Sequence, residues 1–210
     1  MVNAHSETPD RILGVVIAGG RSVRFGGEKA AALLAGRSLL SWAAERLRGS
    51  CFAVGANVRH ETEAEAIARA EGLTLLYDEA GDALGPLAGV KVGLKWASSR
   101  AAQMLAVSPC DAPLLPPDLF SRLIEAGAGG ASFAETAEGP QPLCAIWPVA
   151  LLPAVEGALA HGAHPSLWRL LDALGAKRVR FESAESFANI NTREDLATIA
   201  ARFGHAIPPG

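Results

Sequence analysis

The chain has 210 residues and a net charge of -3, from 19 basic and 22 acidic side chains, and half of its residues are hydrophobic. These values predict one domain over residues 1–210, with its core at about 11–204, and give no reason to expect a nucleic-acid or membrane partner. Any phosphate must therefore be bound by a local site. Three cysteines without a C-x-x-C pair and a polar N-terminus predict a cytoplasmic protein with free thiols.

The first half of the sequence alternates short apolar runs with amphipathic stretches. Residues 12–17 are apolar and β-branched and predict a buried strand, and the stretch 37–50 places its leucines and alanines on one helical face. The alternation continues with predicted strands at 51–57, 73–77 and 103–108 and predicted helices at 61–72 and 85–99. This order predicts a Rossmann-like, three-layer α/β sandwich with a mainly parallel central sheet.

The second half departs from this alternation. Asp118 is expected to cap a helix after a proline-rich loop, and the segments 130–136 and 142–148 predict a small antiparallel addition to the sheet. Two helical stretches and a strand are predicted at 149–160, 166–174 and 177–181. Thr192 and Asp195 have the spacing of a capping box at the start of a closing helix.

The loop at 18–29, "AGGRSVRFGGEK", carries four glycines and the cations Arg21, Arg24 and Lys29. It is neither a Walker A loop nor a dinucleotide fingerprint, because the glycine spacing fits neither and Ala30 offers no hydroxyl after the lysine. Glycines allow successive N–H groups to turn toward an anion, and charged donors strengthen phosphate binding. The loop therefore predicts a phosphate site. The alternative is a mobile surface turn whose cations face water.

Two aspartates follow later strands in the predicted sheet, Asp78 and Asp111. A single aspartate in such a position most often forms a turn or caps a helix. Because ligands of open α/β sheets bind beyond the carboxyl ends of the strands, both aspartates are expected beside the glycine-rich loop. One carboxylate could then accept N–H donors from a base, and another could hold Mg²⁺.

Two further patterns could contribute to a site. Gly85 and Gly89 in "GPLAG" leave the start of a helix bare, so that a substrate could approach the backbone closely; alternatively, Gly89 allows tight helix packing. Asn189 and Asn191 have the spacing that places two strand side chains on one face, where they could bind a polar ligand. The alternative for this pair is turn and cap chemistry.

Four segments, in this order, resemble a known family. "VVIAGGRSVRFGGEKAAALLAGRSLL" resembles L-A-G-G-x-S-x-R-M-G-x-D-K, and "YDEAGDALGPLAGV", "SPCDAPLLPPDL" and "FANINTREDL" resemble D…GPLAG, PCDxP and NxNTPEDL. These are motifs of the molybdenum cofactor guanylyltransferase family, and the resemblance spans Ile12 to Leu196. It implies transfer of GMP from GTP to molybdopterin with release of pyrophosphate. Cytidylyl-transferring relatives read L-A-A-G and lack GPLAG, so "IAGG" and "GPLAG" favour guanine.

The resemblance also implies a role for each matching residue. Lys29, Arg24 and Asp111 would be catalytic, with Mg²⁺ held by Asp111. The nucleotide would be bound by Ile17, Ala18, Gly19, Gly20, Lys29, Asn57, Asp78 and Asp111, and the pterin by Gly85, Gly89, Asn189 and Asn191. Gly55 lacks the side chain that relatives can carry at that position, which leaves Asn57 as the candidate there, and Arg193 replaces a proline of the last motif.

Two other functions remain open at this point. One is a transferase of the same fold that uses CTP or acts on a sugar or alcohol phosphate. The other is a non-catalytic pterin-binding protein. Proteins of cofactor biosynthesis or molybdoenzyme maturation are expected as further partners if the guanylyltransferase interpretation is right.

Overall fold

A computed structural model describes residues 12–20, 23–79, 85–160 and 166–206. These residues form one α/β domain. Its strands are β1 (Ile12–Ile17), β2 (Leu33–Leu34), β3 (Arg37–Ser38), β4 (Ala53–Asn57), β5 (Thr74–Leu76), β6 (Met104–Pro109), β7 (Ser132–Thr136), β8 (Gly139–Pro148) and β9 (Lys177–Arg180). Its helices are α1 (Leu39–Arg48), α2 (Glu63–Ala70), α3 (Pro86–Ser99), α4 (Leu119–Gly127), α5 (Leu152–Ala160), α6 (Leu167–Ala173) and α7 (Arg193–Ala206).

The central sheet has seven strands in the order β5-β4-β1-β6-β8-β7-β9. β5, β4, β1 and β6 pair in parallel, β8 runs antiparallel to both β6 and β7, and β9 pairs in parallel with β7. The mainly parallel sheet and the antiparallel addition in the C-terminal half are therefore confirmed. The register places Ile17 beside Asn57 on one side and Pro109 on the other, so three strands end together at one edge.

Helices cover both faces of this sheet because its central strands are apolar on both faces. Val15 and Val16 of β1 are fully buried and point to opposite faces, as successive strand residues do. Val15 packs in a cluster with residues of α3, α5 and α6, and Val16 packs with residues of α1, α2 and α4. The apolar face predicted for α1 is buried as expected and comprises Leu40, Ala43, Ala44 and Leu47. On α3 the buried residues include Leu87, Val90, Leu94 and Ala97, which are spaced three or four apart.

The predicted capping box at α7 is confirmed. The Thr192 hydroxyl accepts a hydrogen bond from the Asp195 amide at 3.1 Å, and the Asp195 carboxylate accepts one from the Thr192 amide at 2.8 Å. The predicted cap at α4 is wrong. Asp118 precedes the helix, but with φ -92° and ψ 4° its backbone is not extended, and its side chain makes no capping hydrogen bond. Its carboxylate lies instead 3.8 Å from the Arg122 guanidinium.

A hairpin that the sequence did not predict follows the glycine-rich loop. β2 and β3 pair through a turn at Ala35 and Gly36, which have φ values of 50° and 77°. Positive φ at both central residues is the geometry of a type I′ hairpin turn. Leu34 of this hairpin is fully buried in a cluster with Phe25, Leu39, Ile190 and Ile199, so the hairpin ties the glycine-rich loop to α7.

The three cysteines are free thiols, with Cys110 and Cys144 buried and Cys51 partly buried. Burial raises the pKa of Cys51 and of Cys110 to about 12, so both are protonated at neutral pH. In the described part of the chain, every helix is too short or too polar to cross a bilayer.

Candidate active site

A cavity of about 500 Å³ opens where β5, β4, β1 and β6 end. The loops after β1, β5 and β6 form its walls, and these are the three segments that the sequence placed at this edge. Leu143 of β8 and Asn191, shortly before α7, complete the lining. The predicted residues brought together here are Ile17, Ala18, Gly19, Gly20, Arg24, Lys29, Asn57, Asp78, Gly85, Asp111 and Asn191.

Lys29 is the centre of the polar wall. Its Nζ atom donates to Asp111 Oδ2 at 2.5 Å and to Asn191 Oδ1 at 3.3 Å. The Lys29 and Asp111 side chains are only 13% and 20% exposed, so their charge-assisted hydrogen bond is weakly screened by water. The fold thus joins three of the sequence motifs in one cluster.

The backbone beside Lys29 is held from the opposite side by Glu28. The Glu28 carboxylate accepts a hydrogen bond from the Glu63 amide at 2.7 Å, at the first residue of α2. A carboxylate is favourable at this end of a helix, where N–H groups lack partners within the helix. Ala30 is buried in the cluster that includes Ala64 and Ala68 of α2. The lysine side chain therefore enters the cavity from a backbone anchored on α2.

Asp111 is tied to the segment before α7 through its backbone. The Asp111 carbonyl accepts a hydrogen bond from the Ile190 amide at 2.8 Å, and the Ile190 side chain is fully buried. Asp195 then fixes the next residue, since its carboxylate accepts from the Asn191 amide at 2.8 Å. Hydrogen bonds from the Asn191 and Thr192 amides lower the pKa of the Asp195 carboxyl. The Asn191 side chain is thereby directed to Lys29.

Asn57 and Asp78 form a second polar pair at the other side of the cavity. Asn57 is the last residue of β4 and is 2% exposed, and its Nδ2 atom donates to Asp78 Oδ1 at 2.8 Å. Its backbone carbonyl accepts from the Ala18 amide at 2.9 Å, which fixes the start of the glycine-rich loop. Gly55 lies deeper in β4, where an added Cβ would meet Leu76 and Trp96, so it belongs to the core. Asn57 is the residue of this strand that reaches the cavity.

Gly85 and Gly89 occupy different positions. Gly85 lines the cavity just before Pro86, the first residue of α3. Gly89 is absent from the lining, and a Cβ added to it would lie 2.5 Å from Asn57 Oδ1 and 2.9 Å from Ile17 Cδ1. The structure therefore supports the alternative interpretation of Gly89, in which it lets α3 pack closely on the wall of the cavity.

Asn189 and Asn191 do not share a face. Asn191 lines the cavity, whereas Asn189 is exposed and lies outside the lining. The prediction of a common face assumed strand alternation, but residues 188–192 form neither helix nor strand. The buried Ile190 and its hydrogen bond to Asp111 set the direction of this segment instead.

Arg24 lies in a short 3-10 turn, Val23–Phe25, and its exposed side chain lines the cavity near the glycine-rich loop. Gly26 follows with φ 71°, a conformation that favours glycine. Phe25 is buried beneath this turn, with the Arg193 guanidinium 5.4 Å from its ring centroid. Arg24 and Lys29 thus place two cations in the cavity lining, while Arg21 lies outside the described residues.

Sequence reasoning did not single out four further lining residues, namely Pro86, Pro109, Cys110 and Leu143. Pro86, Pro109 and Cys110 belong to segments that the sequence placed at the site, but these three residues were not predicted to line it. Leu143 had no sequence signal, because it is one apolar residue of an antiparallel strand that was not expected to reach the site. Apolar walls with a few convergent polar groups are typical of small-molecule sites.

The residues present fit a magnesium ion that is shared with a substrate. Over the ranges that the structure describes, no group of three or more His, Cys, Asp or Glu side chains could hold a metal by protein ligands alone. Magnesium in nucleotide sites is usually held by one or two carboxylates together with substrate phosphates and water. The Asp111 carboxylate at the cavity wall, with the Asn191 amide oxygen near it, meets this requirement.

The mainly parallel sheet, the cationic glycine-rich loop after β1 and the aspartate after β6, all facing one cavity, define an α/β protein that binds a phosphorylated ligand at the carboxyl edge of its sheet. Comparison with known proteins gives the family. Residues 14–179 match the MobA-like NTP transferase domain, and the chain belongs to that family.

Curated relatives cover nearly the same length. A protein of Cereibacter sphaeroides named molybdenum cofactor guanylyltransferase is 38% identical over 190 residues, which are 89% of this chain and 94% of the relative. A protein of the same name from Serratia proteamaculans is 36% identical over 191 residues, or 89% of this chain and 92% of that relative.

Solved structures share the fold. Molybdopterin-guanine dinucleotide biosynthesis protein A from Archaeoglobus fulgidus superimposes with a TM-score of 0.72 at 23% identity and covers 93% of this chain and 100% of its own. A 4-diphosphocytidyl-2C-methyl-D-erythritol synthase from Anaerococcus prevotii reaches a TM-score of 0.73 at 15% identity, with 94% and 100% covered. At these identities the likeness shows the fold alone.

Proposed function

We propose that the protein transfers GMP from GTP to molybdopterin, forming molybdopterin guanine dinucleotide and releasing pyrophosphate. The observation that carries the proposal is the cluster of Lys29, Asp111 and Asn191 in the cavity, in a chain 38% identical to a relative named molybdenum cofactor guanylyltransferase. The cavity volume of about 500 Å³ lies within the usual range of small-molecule sites.

The base end of the nucleotide is assigned to the wall formed by Ile17, Ala18 and Gly19 with the Asn57 and Asp78 pair. Asn57 occupies one oxygen of the Asp78 carboxylate, and a carboxylate has further acceptor sites. Guanine carries N–H donors on its edge, including the exocyclic amino group. Asp78 is thus suited to accept from the base, while the bare backbone at Gly19 and Gly20 allows the nucleotide to approach closely.

The triphosphate is assigned to the cationic end of the cavity. An ammonium has three donors, so Lys29 can keep its bonds to Asp111 and Asn191 and still donate to a phosphate oxygen. Arg24, which is exposed at the same wall, adds a second cation for the charge that builds up on the leaving group. Mg²⁺ bound at Asp111 would supply further neutralisation of the phosphate oxygens.

The reaction needs positioning and charge neutralisation from the protein. An oxygen of the terminal phosphate of molybdopterin attacks the α-phosphorus of GTP and forms the new P–O bond. The bond from the α-phosphorus to the bridging oxygen breaks, and pyrophosphate leaves with its electron pair. Lys29 and Arg24 hold the chain of phosphates so that attack and departure are in line, which lowers the barrier without a covalent enzyme intermediate.

The pterin is assigned to the side of the cavity opposite the base. Of the four residues that the sequence motifs suggested for the pterin, Gly85 and Asn191 line the cavity, which supports their assignment to it. Gly89 and Asn189 lie outside the lining, so any influence of theirs on the pterin is indirect. We place the reaction in the cytoplasm, where reducing conditions keep thiols such as Cys110 free.

The test is a product assay on the purified protein. Incubation with Mg-GTP and molybdopterin should yield the guanine dinucleotide and one pyrophosphate per product, separated by chromatography and measured by a coupled phosphate assay. CTP and ATP in place of GTP should yield at most traces. Product with CTP but none with GTP would overturn the guanine assignment and favour a cytidylyltransferase.

A binding assay separates the remaining alternatives. A ligand at 100 times its dissociation constant stabilises the folded protein by about 2.7 kcal/mol, so a thermal-shift panel of nucleotides should single out GTP. A non-catalytic pterin-binding protein would instead be stabilised by molybdopterin alone and would release no pyrophosphate. Either that result or stabilisation by a sugar phosphate would contradict the proposed function.

A further inference from the structure

Glu79 follows Asp78 directly, and its side chain binds the helix that begins on the other side of the same loop. Its Oε2 atom accepts a hydrogen bond from Lys91 Nζ at 2.9 Å, and its Oε1 atom accepts one from Lys95 Nζ at 2.7 Å. Both lysines lie on α3, one turn apart and therefore on one helix face. One carboxylate thus joins the start of the loop after β5 to α3 by two charged hydrogen bonds.

The burial of Lys91 distinguishes this arrangement from an ordinary surface ion pair. Exposed ion pairs contribute little to stability, because water and salt screen them. The Lys91 side chain is only 8% exposed, so its position is fixed by the packing of α3. The hydrogen bonds from Lys95 and Lys91 lower the pKa of the Glu79 carboxyl to about 2, so it is ionised throughout the neutral range.

The two ends of the loop are both in the cavity wall. Asp78 stands at the start of the loop and holds Asn57, and Gly85 stands at its end, immediately before α3. A rotation of the backbone at residue 79 would displace the Asp78 carboxylate, because the two residues share a peptide bond. The lysines bound to Glu79 belong to the helix that packs on Asn57 through Gly89. The link to α3 therefore keeps Asp78 in register with Asn57.

We propose that Glu79 is a positioning residue for the nucleotide, which acts by holding Asp78 in the arrangement that accepts the base. The inference rests on the proposed function, since it assumes that the Asp78 side of the cavity binds GTP. Glu79 itself lies outside the cavity lining, and its carboxylate is bound to Lys91 and Lys95. Its effect is on the fraction of molecules in which the Asp78 carboxylate is placed to accept the base, and the apparent dissociation constant varies inversely with that fraction.

The first test is the Glu79→Gln variant, which preserves the size of the side chain and removes its charge. We expect about a tenfold rise in the dissociation constant for GTP, measured by calorimetry, and an equal rise in KM. The turnover number at saturating GTP should stay within about twofold, because Asp78 is held by the base once the nucleotide is bound. Lys95→Gln should shift the same two quantities in the same direction by a smaller factor.

Glu156→Gln is the matched control. Glu156 lies on α5, contacts the same Lys95 at 3.4 Å and is 45% exposed, compared with 47% for Glu79. The control removes one carboxylate from Lys95 without touching the loop, and we expect unchanged GTP affinity. An equal loss of affinity in both variants would overturn the proposal, because it would indicate a general effect of charge on α3.

A double-variant cycle shows whether Glu79 acts through Asp78. If it does, Glu79→Gln should weaken GTP binding strongly in the wild-type background and by less than about twofold in Asp78→Asn. Additive losses would overturn the proposal, as would unchanged affinity in a Glu79→Gln protein that unfolds at the wild-type temperature. Failure of the wild-type protein to bind GTP would instead overturn the proposed function, so the two failures can be told apart.

Discussion

The Oδ1 atom of Asn57 lies 2.5 Å from the position that a Cβ atom on Gly89 would occupy. Real Cβ atoms do not approach other heavy atoms this closely, so α3 and β4 can meet here only because residue 89 has no side chain. The same position is 2.9 Å from Ile17 Cδ1. Asn57 and Ile17 both line the cavity, whereas residue 89 does not. A methyl group at position 89 should therefore change the shape of the cavity by displacing these two side chains.

Gly89→Ala should therefore weaken nucleotide binding and destabilise the fold. The added methyl group must push Asn57 away from Asp78 or move α3, and overpacking of this kind costs about 1–3 kcal/mol. We expect a lower free energy of unfolding by that amount in urea titrations. We also expect a rise of about tenfold or more in the dissociation constant for GTP, measured by calorimetry.

Gly157→Ala is the control for this change. Gly157 is also a helical glycine, but a Cβ added to it meets nothing within 4 Å. Alanine is favoured over glycine inside a helix by about 0.5–1 kcal/mol, so this variant should be slightly more stable with unchanged GTP affinity. A Gly89→Ala protein that behaved like the control would show that α3 moves without cost.

The parts of the fold that the sequence predicted are those with a strong local pattern. β1 is a continuous apolar run of six residues and α1 has an apolar face over ten residues, and both elements were found at their predicted places. The capping box of Thr192 and Asp195 was predictable because both partners lie within one turn. Local patterns of this kind predict a strand, a helix or a cap from its own residues, independently of the elements that pack against it.

The parts that the sequence did not predict are elements too short to show a pattern and contacts between residues far apart in the chain. The strands β2 and β3 have two residues each, too few for a periodic pattern, and their Ala35–Gly36 turn lacks the usual Asn-Gly signal. The motifs predicted that Lys29 and Asp111 lie at the same edge of the sheet. They did not predict the hydrogen bond between the two side chains, because its partners are 82 positions apart in the chain. Asn189 lies outside the cavity because the burial of Ile190 sets the direction of this segment. No pattern in the segment predicts that burial.

A second prediction concerns the ion pair of Lys29 and Asp111. Asp111→Asn should lower the turnover number by about 10²- to 10³-fold, because it removes the charge that holds Lys29 and would hold Mg²⁺. It should also lower the free energy of unfolding by about 1–3 kcal/mol, since the Lys29 side chain is only 13% exposed and its ammonium loses its anionic partner. Steady-state kinetics and urea unfolding measure the two effects.

The double variant Lys29→Met/Asp111→Asn separates folding from catalysis. It removes both charges, so it should recover much of the stability lost in either single variant while remaining inactive. Asp172→Asn is a control that breaks another close ion pair, 2.5 Å from Arg178, outside the cavity lining, and it should leave turnover within about twofold. Comparable losses of turnover in this control would mean that Asp111 acts only through stability.

A third prediction concerns the pair of Asn57 and Asp78. Asn57→Asp would place two carboxylate oxygens about 2.8 Å apart, because the Asn57 Nδ2 atom lies at that distance from Asp78 Oδ1. Like charges so close raise the pKa of one carboxyl group, so the pair carries a single charge at low pH and gains a second as the pH rises. GTP affinity of this variant should fall by more than about tenfold between pH 5.5 and pH 8, relative to the wild-type protein.

The exchanged variant, Asn57→Asp with Asp78→Asn, keeps one amide and one carboxylate at the same two positions. Its hydrogen bond runs in the reverse direction, and the extra pH dependence should disappear. Calorimetric titrations at the two pH values compare the three proteins. If the GTP affinity of the Asn57→Asp variant equals that of the wild-type protein at both pH values, the two side chains make no functional contact.

The last prediction follows from Asp195, which connects the stability of α7 to the position of Asn191. Hydrogen bonds from the Asn191 and Thr192 amides lower the pKa of the Asp195 carboxyl below its usual value of 3.8. The ionised carboxylate therefore stabilises the folded state at every pH above that usual value. This contribution is lost as the pH falls from about 3.8 through the lower pKa of the folded protein.

Asp195→Asn should make this contribution measurable. The variant should unfold at lower urea concentration than the wild-type protein at pH 7, and the difference between them should shrink as the pH is lowered below 3.8. Glu194→Gln, which removes a neighbouring carboxylate that makes none of these amide contacts, should show no such narrowing. At pH 7 the Asp195→Asn variant should also bind GTP less tightly, because a neutral amide oxygen accepts the Asn191 N–H less strongly than the carboxylate does and holds the Asn191 side chain near Lys29 less firmly. A constant difference in stability from pH 7 to pH 3 would mean that the charge of Asp195 does not stabilise the start of α7.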